Sequence, residues 1–133
     1  RPDLFKVVIS EMGRLDMASL DKYTSGIHHF DEYGNPNNKE EFESMLSYSP
    51  YHTIKEDVNY PTCLIITSEN DDRVPPFQSY KFVARLQNRT TQKNPIYLKV
   101  NKSAGHSGNI SSYEKWVKQK SEFYSFIWEY LNN

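Results

Sequence analysis

One cysteine, Cys63, is the only thiol in this chain of 133 residues, which excludes an internal disulfide and leaves the redox compartment open. It sits inside an apolar run, so a buried core thiol is expected. An excess of either charge is lacking too: 16 Lys and Arg stand against 17 Asp and Glu, for a net charge of −1. No basic block stands out, which removes the electrostatic footprint of a nucleic-acid partner. No apolar stretch approaches ~18 residues, so no membrane-spanning helix and no membrane partner are expected. There is no initiator Met and no visible signal peptide; the chain opens on Arg1-Pro2-Asp3-Leu4-Phe5. We therefore expect a piece of a longer protein, with cytoplasm and periplasm both open. Apolar residues reach only 37%, but aromatics make up 14%, with ten Tyr and seven Phe. A core built on rings is expected.

Three short apolar runs read as strands, at 7–10, 62–67 and 96–100. Between the first two, residues 14–38 look irregular. A helix then follows, with Asn38 as its N-cap and Glu41 three residues on, a variant of the capping box. Phe42, Met45 and Leu46 share one face of it, and Ser49-Pro50 ends it. Pro75-Pro76 opens another helix with Phe82, Val83 and Leu86 on its apolar side. A last helix covers about 112–131. Its stripe of Trp116, Phe123, Ile127 and Tyr130 is expected to be core. Strands alternating with helices imply an α/β domain with a parallel sheet and flanking helices. Three strands are few for such a sheet, so the strand at 7–10 is expected to have a further neighbour upstream.

Two loops carry the chemistry. Asn70-Asp71-Asp72-Arg73-Val74 follows the second strand, and Ala104-Gly105-His106-Ser107-Gly108 follows the third. A catalytic histidine needs an acceptor that fixes its tautomer and stabilises the imidazolium, and Asp71 or Asp72 could serve. Both loops lie past the carboxyl ends of strands, where open α/β sheets bind ligands. An acid after one strand and a histidine after the next is the order in α/β-hydrolases, whose serine comes earlier on a Gly-x-Ser-x-Gly elbow. No such elbow occurs here; Gly105-His106-Ser107-Gly108 has the wrong spacing, and its serine follows the histidine. His28-His29 with Asp31 and Glu32 could suggest metal ligands, but adjacent histidines point apart in regular structure. No metal is expected.

Over nearly its whole length the chain resembles the C-terminal part of the catalytic domain of the prolyl oligopeptidase family. The resemblance is carried by Arg1-Pro2-Asp3-Leu4-Phe5, Leu15-Asp16-Met17, Lys22-Tyr23-Thr24, Tyr33-Gly34-Asn35-Pro36, Tyr48-Ser49-Pro50-Tyr51, Asp71-Asp72-Arg73-Val74 and Ala104-Gly105-His106. It implies a partial α/β-hydrolase fold over 1–133, with the N-terminal strands and the elbow upstream. By the same resemblance Asp71 is the triad acid and His106 the general base. Arg73 holds a substrate carbonyl. Val74 and Tyr33 line the pocket for the residue before the scissile bond, and His29 falls where prolyl members stack a tryptophan on the substrate proline. Arg14 falls where they carry a small apolar residue. Both departures make the pocket more polar, and a proline ring gains less from burial there.

The resemblance therefore implies a serine-type peptidase acting on short peptides, after proline, with no cofactor and with this piece inactive alone. Cleavage after Lys or Arg, with Asp31 and Glu32 as anionic contacts, is one alternative; a non-catalytic interaction domain is another. With its first strand short of a neighbour, the isolated chain is expected to self-associate through that edge.

Overall fold

The computed structural model describes residues 1–23, 25–108 and 112–132. Thr24, within one of the stretches quoted above, lies outside the described residues. Three parallel strands make one sheet in the order β1-β2-β3: Val7–Glu11, Thr62–Ser68 and Ile96–Asn101. Val8, Cys63 and Ile96 lie side by side in one row, and Ile9, Leu64 and Tyr97 in the next. The middle strand β2 is buried at every position, as its unbroken apolar run requires of a parallel strand covered on both faces.

One face of the sheet holds the main core. Cys63, Ile65 and Ile96 pack there with Leu15 and Ile54 and against Val83 and Leu86 of helix α3, Phe77–Gln87. Burying side chains of this size contributes about 1.5–3 kcal/mol each. Burial pushes the Cys63 thiol up to about 11, and its Sγ–H donates to Pro61 O at 3.2 Å. Cys63 is thus the core thiol the sequence implies.

Helix α4, Tyr113–Asn132, lies over the other face. Its contact with the sheet is aromatic: Tyr97 meets Phe126 and Tyr130 with ring centroids 5.8 and 6.1 Å apart. The expected core stripe is only half right. Phe123, Ile127 and Tyr130 are half-buried, while Trp116 is exposed and stacks on Tyr113. A twenty-residue helix over three strands finds only a narrow strip of sheet to cover, so its outer turns keep their rings in solvent.

The segment expected to be irregular contains three short helical pieces: Met17–Lys22, Gly26–His29 and α1, Phe30–Tyr33. Gly26 is required there, because a Cβ would lie 1.7 Å from Leu20 O. Helix α2, Lys39–Tyr48, follows with Asn38 as cap; its side chain accepts from Glu40 N and Glu41 N at 3.0 and 3.3 Å. Glu41 does not complete the reciprocal box. Its carboxylate accepts from Asn35 N at 2.7 Å and ties the incoming loop instead. Met17, Leu20, Tyr23 and the fully buried Met45 form a second core, flanked by Phe30 and Tyr33.

Candidate active site

Parallel strands deliver their carboxyl ends to one rim, and every candidate residue sits on that rim or in the segment that follows β1. β2 runs out at Ser68. Glu69 N then donates to Asn101 O at 3.1 Å and Asn70 N to Ala104 O at 2.9 Å. These bonds lace the acid-bearing loop to the histidine-bearing loop. The latter closes as a tight turn, with Gly108 N donating to Gly105 O at 2.9 Å and Gly108 at φ +71. A side chain at Gly108 would be strained in that left-handed conformation.

Asp71 is buried and His106 is partly open, with side-chain exposures of 0% and 34%. His106 Nδ1 lies 2.9 Å from Asp71 Oδ2 and 3.1 Å from Oδ1. A carboxylate accepts, so Nδ1 carries the hydrogen and Nε2 is left as the basic nitrogen. Asp71 Oδ1 also accepts from Arg73 N at 3.0 Å and Val74 N at 2.9 Å. The same carboxylate therefore shapes its own loop and orients the imidazole. Of the two acids the sequence allowed, Asp71 meets His106; Asp72 is exposed.

Arg14, His29, Tyr33, Arg73, Val74 and His106 all line one cavity of about 560 Å³. Val74 is buried, and Arg73 is exposed. Arg73 is anchored through its backbone, whose carbonyl accepts from Ser25 Oγ at 2.6 Å. Tyr33 and His29 stand with rings 5.9 Å apart, and His29 Nδ1 reaches Glu32 Oε2 at 3.3 Å. The bond that the Tyr33 hydroxyl donates to the Glu32 carboxylate, and then partial burial, hold the phenol above its usual range. Asp31 and Glu32 are exposed and do not line the cavity.

Sequence reasoning missed the groups that hold this wall in place. The fully buried Gln78, in the first turn of α3, accepts from Leu15 N at 2.9 Å and Asp16 N at 2.7 Å. Its amide also donates to Tyr23 Oη at 2.9 Å. Tyr48 donates its hydroxyl to Tyr33 O. Tyr48 lay in a stretch quoted for the family likeness; nothing marked Gln78. Asp16 is held by Lys81 and Ser19; burial works against its charged form, and these bonds bring its carboxyl below the usual range.

A parallel sheet with flanking helices, an acid after one strand and a histidine after the next define a partial α/β-hydrolase domain. The chain belongs to the prolyl oligopeptidase family, whose Peptidase_S9 model matches residues 1–133. A prolyl endopeptidase of Elizabethkingia miricola is 41% identical over 127 residues, covering 95% of this chain and 18% of that protein. One solved prolyl endopeptidase superposes with a TM-score of 0.93 at 34% identity, over 99% of this chain and 19% of its own. Oligopeptidase B of Trypanosoma brucei with covalently bound antipain, in its closed form, gives 0.92 at 27% identity, over 99% of this chain and 19% of its own. The chain thus spans under a fifth of the length of these relatives.

Proposed function

We propose that residues 1–133 are the C-terminal portion of a serine peptidase domain that hydrolyses short peptides. The observation that carries this is the buried Asp71 bonded to His106 at 2.9 Å, with the histidine on the wall of a cavity. In the complete protein, a serine supplied by another part of the chain attacks the peptide carbonyl. His106 Nε2 takes the serine proton and returns it to the leaving amine, while Asp71 keeps Nδ1 protonated and stabilises the imidazolium. Arg73, which lines the cavity, holds a substrate carbonyl. The 41% identity to a prolyl endopeptidase supports proline as the residue before the scissile bond, with Val74 and Tyr33 as its walls. Cleavage after Lys or Arg fits less well, because two guanidinium groups, Arg14 and Arg73, line the cavity and, among the described residues, no carboxylate does.

Hydrolysis of proline-reporter peptides by the complete protein tests the reading. A guanidinium bonding a carbonyl contributes roughly 1.5–3 kcal/mol. Arg73→Ala should therefore lower kcat/KM about 10- to 150-fold and leave the melting temperature unchanged. Absence of hydrolysis by the complete protein would overturn the function, and unchanged kinetics in the variant would remove Arg73 from the substrate site.

The isolated chain is proposed to self-associate. β1 pairs with β2 on one side and is an outer strand of the described sheet, and Leu4 and Phe5 beside it are 63% and 57% exposed. An open edge next to apolar side chains is a template for strand pairing, most simply about a two-fold axis. Sedimentation at micromolar concentration should show a dimer. A stable monomer with protected amides across 7–10 would refute this.

A further inference from the structure

The chain leaves β1 at Glu11, and Met12 N bonds back to Ile66 O at 2.9 Å. Gln78 then fixes the backbone at Leu15 and Asp16, so Arg14 is held between two anchored points. Its guanidinium carbon stands 5.6 Å from the centroid of the Tyr33 ring, within range of a cation–π contact. The Tyr23 hydroxyl lies within hydrogen-bonding reach of it. Even so, Nη1 is buried and has no hydrogen-bond partner, and no ion pair engages Arg14 among the described residues.

A buried, charged donor left without an acceptor is costly, and native proteins keep few of them. The nearby acids are already committed. Asp16 is bound by Lys81 and Ser19, and Glu32 by His29. Arg14 also lines the cavity, where an anionic group of a ligand can pair with its charge. That cavity suits a short chain with an anionic tip: Val74, Met17 and the Tyr33 ring offer apolar wall, while Arg14 and Arg73 offer positive charge. A proline ring would use the apolar wall and leave the charge of Arg14 unused. A lysine or arginine would face like charge.

We propose that Arg14 makes this cavity a carboxylate pocket as well, so that glutamate or aspartate is accepted beside proline as the residue before the scissile bond. The inference rests on the peptidase reading for its substrate, though not for the pocket itself. The test uses the complete protein at neutral pH, where a substrate carboxylate is ionised. Two reporter peptides differ only in Glu or Gln before the cleaved bond. Their kcat/KM values are measured in the wild type, Arg14→Val and Arg14→Gln; their dissociation constants are measured in a His106→Ala background with and without the same changes. Arg14→Gln keeps a donor and most of the length, so the comparison survives if Arg14→Val fails to fold. Glu should be favoured over Gln by about 10- to 150-fold, the range charge-assisted bonds supply, and the ratio should fall close to one without Arg14. Equal binding of the two peptides, or a ratio indifferent to Arg14, would overturn the pocket even if both are hydrolysed. Arg14-dependent binding without hydrolysis would uphold the pocket and sink the peptidase reading instead.

Discussion

Purified by itself, the 133-residue chain should hydrolyse neither proline- nor arginine-reporter peptides and should take no label from a serine-directed phosphonate. Acid and base alone do not attack a carbonyl; loss of the nucleophile from a serine triad costs about 10⁶ in rate. The sequence holds no Gly-x-Ser-x-Gly elbow. Ser107 is no substitute. It is the immediate neighbour of His106 on a turn closed by Gly105 and Gly108, with none of the strand-to-helix geometry that presents a nucleophile. The complete protein, assayed beside the chain, should turn over. Phosphonate on Ser107, or turnover by the chain, would refute the division of labour proposed here.

In the complete protein, under the proposed reading, Asp71→Asn should lower turnover on the order of 10⁴, the cost of putting the imidazole in the wrong tautomer. The geometry says how. An asparagine Oδ1 retains the bonds that Asp71 receives from Arg73 N and Val74 N, so the loop keeps its shape. The Oδ2 position, 2.9 Å from His106 Nδ1, becomes an amide that donates. Nδ1 must then accept, and the hydrogen moves to Nε2, where a base is needed. Thermal stability should change far less than turnover. Asp72→Asn, at an exposed position, should cost little. Steady-state kinetics of both variants decide the matter: greater damage from Asp72→Asn would show that the wrong carboxylate has been assigned.

The strands were legible because burial on both faces leaves unbroken apolar runs such as Cys63-Leu64-Ile65-Ile66. Each extends only one residue beyond its expected end, at Glu11, Ser68 and Asn101. Val83 and Leu86 were legible because α3 has a helical apolar face. The three short helical pieces between β1 and α2 were not, since pieces of four to six residues are too short to show a period. Gln78 was invisible for a different reason: its partners lie 62 and 63 positions away, and a polar residue in a first turn reads as solvent-facing. Trp116 misled because helical spacing shows which side of a helix is apolar, not how much sheet there is to cover it. In the site, the two loop phrases pointed to His106 and an acid at 71 or 72, and family likeness added Arg73, Val74, Tyr33 and His29. Arg14 was marked as a departure, but its unpaired nitrogen needed coordinates.

Gln78 has a consequence for how such an enzyme can change. Arg14, His29 and Tyr33 come from the stretch after β1, whereas Asp71, Arg73, Val74 and His106 come from the loops after β2 and β3. Under the proposed reading, taste and chemistry are written in separate passages of the gene, and the first turn of α3 is where they are bound together. Mutations within 14–33 can alter the diet while the proton relay keeps its alignment. A mutation at Gln78 is pleiotropic, since it loosens the recognition wall from within the helix that continues out of the acid's own loop. New specificities should therefore accumulate along the first passage, with position 78 held still.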